Sequence, residues 1–208
     1  MVDALQQINI RHEATEDRLL LRLRTSAEGE TSLYLTRRFV VRLWPALLKT
    51  LGADPAVAAQ ADPVARSAVM AFRHEHAVSR SDFSRPYQAP AAKPATPLPA
   101  ERDDETDEAP AEIGEKAEAP DPDAPLPIEV KGELVEVCHI QTPGEERVML
   151  IFKTVAKKAV TVNLSIDMLH GFCKLLQQAT DKAEWGLALA LPGTGATGPK
   201  AAAPVTVN

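Results

Sequence analysis

Three glycines near the C-terminal end have the spacing of a dinucleotide-binding loop. The run Gly193-Thr-Gly195-Ala-Thr-Gly198 matches the pattern G-x-G-x-x-G, and the apolar stretch 187–191 precedes it. Such a loop needs a following helix, whose N-terminus meets the pyrophosphate, and an acidic residue about twenty positions later. Here Pro199 follows the third glycine, and no acidic residue lies between it and Asn208. We therefore expect no dinucleotide cofactor.

The ligand types of a zinc site occur together in the C-terminal part of the chain, as Cys138, His139, His170 and Cys173. Cys138 and His139 are neighbours on a predicted strand, so their side chains point to opposite faces and only three of the four groups can converge. Cys173 flanks an apolar helical stripe and is explained more simply as a buried thiol. We expect no metal site.

The positions of the other histidines indicate structural roles or exposure to solvent. His12 and His139 occupy equivalent places on two predicted strands, and we expect both to point inward at the edge of a core. His74 and His76 are two residues apart on a predicted helix, which is the wrong spacing for one face. We expect these two side chains to be solvated.

Side chains for covalent or acid–base catalysis do not occur at a suitable spacing. No serine or cysteine lies in a strand–turn–helix setting, and no glycine-rich loop ends in Lys-Ser or Lys-Thr. The neighbouring carboxylates Asp103 and Asp104 lie in a proline-rich stretch that cannot hold them in place. We predict that the protein is not an enzyme and uses no cofactor.

The elements that would position any site are predicted from a repeated pattern. Residues 19–36 align with 148–165 without a gap, and residues 8–12 match 135–139 upstream. Each copy has three alternating strand patterns followed by an apolar helical pattern, which Thr36 or Ser165 can cap. The sequence therefore predicts an α+β protein made of two related βββα units, which arose by internal duplication. Each helix is expected to lie across the three-stranded antiparallel sheet of its own unit.

Alternation of side chains along the strands predicts the face that each sheet buries. In the second unit the predicted outer side includes Ile140, while Val137 is predicted to point inward. The predicted core positions of the first unit are Ile8, Ile10, Leu19, Leu21, Leu23, Leu33 and Leu35. Those of the second are Val135, Val137, Val148, Leu150, Phe152, Val162 and Leu164.

The domain limits follow from these patterns. The first unit is expected over residues 1–85, with an extra helix at about 63–78 that begins at Asp62-Pro63. Its apolar residues at helical spacing are Val64, Ala68, Val69 and Phe72. The second unit is expected over 127–190, and a disordered tail over 191–208.

Between the two units, residues 86–126 are predicted to be a disordered linker. From Pro86 to Pro127 there are ten prolines, both ends included, and residues 88–126 hold 3 Lys/Arg against 11 Asp/Glu. Such a segment buries too little apolar surface to offset the entropy of ordering it. The net charge of −6 for the whole chain thus comes from its middle. An alternative role for this segment is an acidic decoy that competes with nucleic acid for a basic surface.

The outer face of the first unit carries arginine and tyrosine. Arginine suits phosphate oxygens, and both side chains stack on unpaired bases. The alternative is an ordinary solvated face, because several acidic residues lie nearby. The residues that would contact a single-stranded nucleic acid are Arg11, Arg22, Arg24, Tyr34, Arg37, Arg38 and Arg42.

The outer face of the second unit is apolar. Met149 and Ile151 alternate with inward-facing residues, so their strand is apolar on both sides, and Ile140 is expected beside them. A strand of this kind is typical of a sheet that is covered twice. We therefore predict a protein interface at Ile140, Met149 and Ile151, covered by the first unit or by another chain.

Three strands followed by a helix, repeated in one chain, resembles the arrangement in Whirly-type and Pur-type single-strand nucleic-acid binders. Those units have four strands before the helix, whereas only residues 128–130 of the second unit offer a fourth here. The resemblance implies a curved antiparallel sheet that holds unpaired bases. It is a similarity of topology alone, so it assigns no binding residues.

The compartment is predicted from what the sequence lacks. No apolar run approaches the length of a membrane span, and the first residues do not form a secretory signal. The two cysteines suit a reducing environment. The sequence thus predicts a cytoplasmic protein-interaction module or adaptor that self-associates, with single-stranded nucleic-acid binding as the alternative and no membrane partner.

Overall fold

The computed structural model describes residues 5–25, 29–81, 132–144 and 147–193. The predicted linker 86–126 and the tail beyond residue 193 lie outside the described residues. In the first half, three strands precede three helices, which are β1 (Leu5–Glu13), β2 (Arg18–Thr25), β3 (Gly29–Thr36), α1 (Arg37–Gly52), α2 (Pro55–Ala58) and α3 (Pro63–Arg80). In the second half, three strands precede one helix, which are β4 (Glu133–Gly144), β5 (Arg147–Thr154), β6 (Ala159–Ser165) and α4 (Ile166–Lys182).

The α+β class is confirmed, but the prediction of two separate three-stranded sheets is wrong. All six strands form one sheet in the order β1-β2-β3-β4-β5-β6. Its halves join where β3 runs parallel to β4, with Leu33 opposite Glu133 and Tyr34 opposite Leu134. Separate sheets would leave the edges of β3 and β4 without backbone partners and would divide the chain between two small cores. One mixed sheet avoids both costs.

The helices begin at residues that satisfy free backbone N–H groups. The Oγ1 of Thr36 accepts a hydrogen bond from the N–H of Phe39 at 3.2 Å, and the Oγ of Ser165 accepts one from Met168 at 3.2 Å. Asp62 caps α3 in the same way through Ala65. These side chains fix where each helix leaves the strand or loop before it.

The core joins both halves of the chain. Helix α1 packs against β3 and β4, while α4 packs against β5, β6 and β1, so each helix also contacts a strand of the other half. The expectation that each helix lies across the sheet of its own unit is therefore too narrow. The edge strands β1 and β6 approach each other, which means that the sheet is strongly curved. One cluster of buried side chains fills the space between the sheet and the helices, and it includes Leu21, Leu33, Leu43, Phe152, Phe172 and Leu176.

Helix α3 turns a different side to the core from the one expected. Val64 is 76% exposed and Phe72 is 68% exposed, whereas Met70, His74 and Ala77 are buried. The buried residues lie at i, i+4 and i+7, which is also a helical stripe. The prediction that His74 is solvated is therefore wrong. The helix packs on α4 and α2, and this contact selects the side that is buried.

Strand β4 contains a β-bulge that shifts its register. Val135 is opposite Thr154, but Val137 is already opposite Lys153, so one residue of β4 is left over at Glu136. A bulge of this kind exchanges the two faces for the residues that follow it, here up to Gln141, after which the register shifts again. The side chains after Glu136 therefore point to the sides opposite to those predicted.

Within the described ranges, none of the helices combines the length and the hydropathy that a membrane-spanning segment requires.

Candidate functional site

The sheet has an outer face on the side opposite the helices. In the second half, cross-strand pairs define it, because partners in a ladder share a face. Ile151 lies between His139 and Thr161, and Met149 lies between Gln141 and Asn163. We call this surface the β4–β6 outer face, and its residues are Val137, His139, Gln141, Met149, Ile151, Lys153, Thr161 and Asn163.

The bulge in β4 changes the composition of this surface. Ile140 is opposite Leu150 and Cys138 is opposite Phe152, so both side chains point toward the core, where they pack as half-buried residues. The assignment of Ile140 to the outer side is thus wrong, as is the inward position predicted for Val137. His139, also expected to point inward, is exposed beside Ile151. Val137 takes the place of Ile140 on the outer face.

The centre of the β4–β6 outer face is apolar and accessible. Val137 is 41% exposed, and Met149 and Ile151 are half-buried. Helices α1 and α4 contribute to the core on the other side of the sheet, and α3 packs on α2 and α4. Among the described elements, none remains to cover this face.

Charged residues lie near the end of the sheet where β5 turns into β6, and they are paired. The ammonium of Lys157 lies 3.0 Å from Glu136, and that of Lys158 lies 3.2 Å from Glu133. Glu133 also accepts a hydrogen bond from the hydroxyl of Thr154 at 2.9 Å. The bond from Thr154, followed by that from Lys158, lowers the pKa of Glu133. The face is thus nearly neutral, and Lys153 is the charged residue that the register places on it.

The outer face of the first half is less open than expected. Arg22 is 6% exposed, and Leu20, which points the same way, is fully buried. Leu20 lies between Arg11 and Tyr34 in the ladder, so two long side chains flank it. The backbone of Gly132 lies against the Tyr34 ring, where an added Cβ would be 2.7 Å from a ring carbon.

The predicted nucleic-acid residues fall into separate groups. Arg11 is half-buried and bonded to Glu13 at 3.3 Å, and Arg24 is half-buried. The guanidinium of Arg18, a residue outside the predicted set, lies 5.9 Å from the centre of the Tyr34 ring. The remaining three, Arg37, Arg38 and Arg42, are exposed on the first turns of α1.

Two polar clusters were missed by sequence reasoning. In one, Asp17 accepts hydrogen bonds from Trp185 and His12. In the other, the Nδ1 atoms of His74 and His170 are 3.3 Å apart in a buried contact between α3 and α4. Each cluster joins residues that are far apart in the chain, so local spacing carries no signal for it.

A pocket of about 400 Å³ lies where α2, α3 and the start of α4 meet. Its lining includes Asp54, which is 4% exposed and accepts from Nη2 of Arg73 at 2.9 Å. Ser165 and Asp167 line the opposite side, and Ser165 serves as the cap of α4. Asp54, Arg73 and Ser165 of the lining are thus engaged in ion pairing and capping.

The two thiols are free and shielded. Burial raises the pKa of Cys138 and of Cys173 to about 12. A protonated thiol is a poor nucleophile and a poor metal ligand. Among the described residues, no three His, Cys, Asp or Glu side chains are grouped so that they could hold a metal ion.

Comparison of the chain with family models, with curated proteins and with solved structures gave no match.

Proposed function

We propose that this chain is a non-enzymatic, cytoplasmic protein-interaction module that self-associates through the β4–β6 outer face. The observation that carries the proposal is the apolar centre of that face, where Val137 is exposed and Met149 and Ile151 are half-buried. Apolar sheet surface that faces water favours association, because burying it removes it from contact with solvent.

The pattern of strand β5 supports a second cover for the sheet. Val148, Leu150 and Phe152 are buried against the helices, while Met149 and Ile151 between them are also apolar. A strand that faced water on its outer side would normally alternate apolar with polar residues. The first half cannot supply this cover by stacking, because it continues the same sheet edge to edge.

The charge of the face favours a second copy of the chain as the partner. A two-fold contact sets a surface against itself, so a strongly charged surface would repel its own copy. The polar residues around the apolar centre are neutral amides and hydroxyls together with His139, and Lys153 is the charged residue among them. The pairs Lys157–Glu136 and Lys158–Glu133 neutralise the adjoining end.

Internal duplication and a disordered acidic linker at 86–126 are part of the same proposal. Support for duplication comes from the order of three strands and a helix in each half, with capping hydroxyls at Thr36 and Ser165. A flexible linker would let the two halves reach each other within one sheet without a fixed connecting path.

The mass of the full chain in solution tests the self-association. The wild-type chain is expected at about twice its mass of 22.5 kDa by light scattering. Val137→Glu should reduce the mass to that of one chain, since it places two carboxylates in an apolar contact. Val64→Glu is the matched control, because Val64 is 76% exposed on α3, away from the sheet. It should leave the mass unchanged.

Two results would contradict the proposal. One is a wild-type chain that stays monomeric at every concentration at which it remains in solution. The other is a Val137→Glu chain that associates as well as the wild type. Circular dichroism of both variants separates loss of association from loss of folding.

Single-stranded nucleic-acid binding is the second candidate. It is favoured by the arginine and tyrosine pair Arg18–Tyr34 at the end of the sheet and by the exposed Arg37, Arg38 and Arg42. Tyr34→Ala should weaken binding by about 1–3 kcal/mol if the ring stacks a base. Arg38→Ala should lower the salt slope by about one per lost phosphate contact, with the exposed Arg80→Ala as the control. A chain that fails to bind at low salt removes this candidate.

A further inference from the structure

Helix α3 is held to the rest of the fold by few buried side chains. Met70, His74 and Ala77 are buried, at i, i+4 and i+7 on one side of the helix. The large apolar side chains Val64 and Phe72 are exposed. The attachment of α3 therefore depends on a narrow contact that has a histidine at its centre.

That histidine meets a second one on α4. The Nδ1 atoms of His74 and His170 are 3.3 Å apart, and the rings are T-shaped with centroids 5.3 Å apart. The side chains are 7% and 1% exposed. A hydrogen bond between two Nδ1 atoms requires one ring to donate a proton from Nδ1 and the other to accept it with a lone pair. The lowered pKa values of both rings favour the neutral forms at neutral pH, and in a neutral pair that makes this bond the two rings carry their protons on different nitrogens.

Protonation of this pair is opposed first by burial and then by nearby cations. Burial lowers the pKa of His170 to about 4, and His74 and Arg73 act in the same direction. Burial also lowers the pKa of His74, with Lys174 of α4 as the second cause.

The carboxylates near the pair compensate only in part. Asp167 of α4 and Asp54 before α2 raise the pKa of His170, but Asp54 is already bonded to Arg73 at 2.9 Å and Asp167 is exposed. The other titratable neighbours on α3, Glu75 and His76, are exposed. Adding one proton to the histidine pair places a positive charge in a buried contact. Adding a second proton removes the lone pair that accepts the hydrogen bond, so the Nδ1–H groups of the two rings then point at each other.

We propose that the His74–His170 pair is a pH-sensitive latch that holds α3 against α4 at neutral pH and releases the helix in acid. Release exposes Met70, Ala77 and the facing side of α4, so an apolar surface would become accessible below neutral pH. The strands and the core beneath α1 contain no part of the pair and stay folded.

The direction of the pH effect follows from proton linkage. A released histidine has the ordinary pKa of 6.5, whereas the packed His170 has a pKa of about 4. The released state therefore binds more protons between these values. The contribution of His170 to the attachment of α3 is therefore present in full above 6.5 and is lost as the pH falls toward 4. For His170 alone, the equilibrium constant for release should rise about 30-fold between about pH 7.5 and about pH 5. His74 adds to the effect in the same direction.

Hydrogen–deuterium exchange of the full chain at these two pH values tests the latch. After correction for intrinsic rates, the amides of α3 should exchange about 30-fold faster at the lower pH, while those of β2 and β5 keep their protection. The double variant His74→Gln with His170→Gln replaces the rings by amides that hydrogen-bond but do not titrate, so its α3 should lose the pH response. His76→Gln, a change of an exposed histidine on the same helix, should keep it.

Equal protection of α3 at both pH values in the wild type would overturn the proposal, and so would a pH response that survives in the double variant. If the double variant does not fold, an NMR titration of the five histidines of the wild type decides. The latch requires His74 and His170 to titrate only as α3 loses protection. Titration of both rings near 6.5 while α3 stays protected would refute it.

Discussion

The indole Nε1 of Trp185 donates a hydrogen bond to Oδ1 of Asp17 at 2.6 Å, between residues 168 positions apart. Asp17 lies in the turn between β1 and β2, and Trp185 follows α4. The same carboxylate oxygen is 3.1 Å from Nε2 of His12, whose ring meets the indole edge-on. These contacts tie the first turn of the first half to the segment that follows the last helix of the second half.

Trp185→Phe removes the donor and keeps an aromatic ring, so we expect a lower melting temperature without loss of the fold. The bond from Trp185, followed by that from His12, lowers the pKa of Asp17 below its ordinary 3.8. A lowered pKa stabilises the fold above 3.8, and this contribution is lost as the pH falls below it. The difference in melting temperature between variant and wild type should therefore shrink in strong acid. A difference that is independent of pH would mean that packing, not the carboxylate, causes it.

The single core cluster predicts a single unfolding transition. Phe172 of α4 is 1% exposed, and Phe172→Ala should cost about 3–5 kcal/mol. Trp44 in α1 and Trp185 after α4 report on the two halves by fluorescence, each in a variant that lacks the other. In the Phe172→Ala variant, the unfolding midpoints reported by the two tryptophans should move to the same lower denaturant concentration. Separate midpoints would show that the halves unfold independently, contrary to a shared sheet.

The bulge in β4 predicts different effects for two neighbouring positions. Ile140→Glu puts a carboxylate on the core side and should destabilise the fold by about 1–3 kcal/mol. Gln141→Glu is the control, because Gln141 is exposed on the outer side opposite Met149. It should leave chemical denaturation almost unchanged. Equal effects at both positions would argue against the register described.

The raised pKa values of the two thiols predict slow reaction with thiol reagents at neutral pH. With a pKa of about 12, Cys138 and Cys173 stay protonated well above neutrality. A thiol reagent should modify the native chain slowly and both cysteines rapidly in denaturant. Cys173, which is fully buried, should be the slower of the two. Rapid modification of Cys173 in the native protein would show that the contact between α4 and the sheet opens often.

Several elements could be predicted because their signals are local. The alternation in Leu19–Leu23 and in Val148–Phe152 identified the strands and their inner faces, and Thr36, Asp62 and Ser165 identified the helix starts. Each of these signals depends on residues within a few positions of one another.

The errors came from relations between distant parts of the chain. In β4, apolar residues occur in both alternating sets, so only pairing with β5 shows the extra residue at Glu136. Helix α3 has two sets of residues at helical spacing that could face the core, and its packing on α4 decides which set is buried. The partner of His74 lies 96 residues away. The pairing of β3 with β4 uses backbone groups, which have no side-chain signature.

The parallel junction of β3 with β4 also sets an order of events during synthesis. Leu33 and Glu133 are neighbours in the sheet, yet about 100 residues separate them, and a ribosome needs about 5–20 s to add that length. During that interval the nascent chain carries β3 with a free edge. An unpaired edge strand is a template for pairing with other chains. A nascent-chain binding factor that covers this edge would therefore protect the protein most while its second half is still being made.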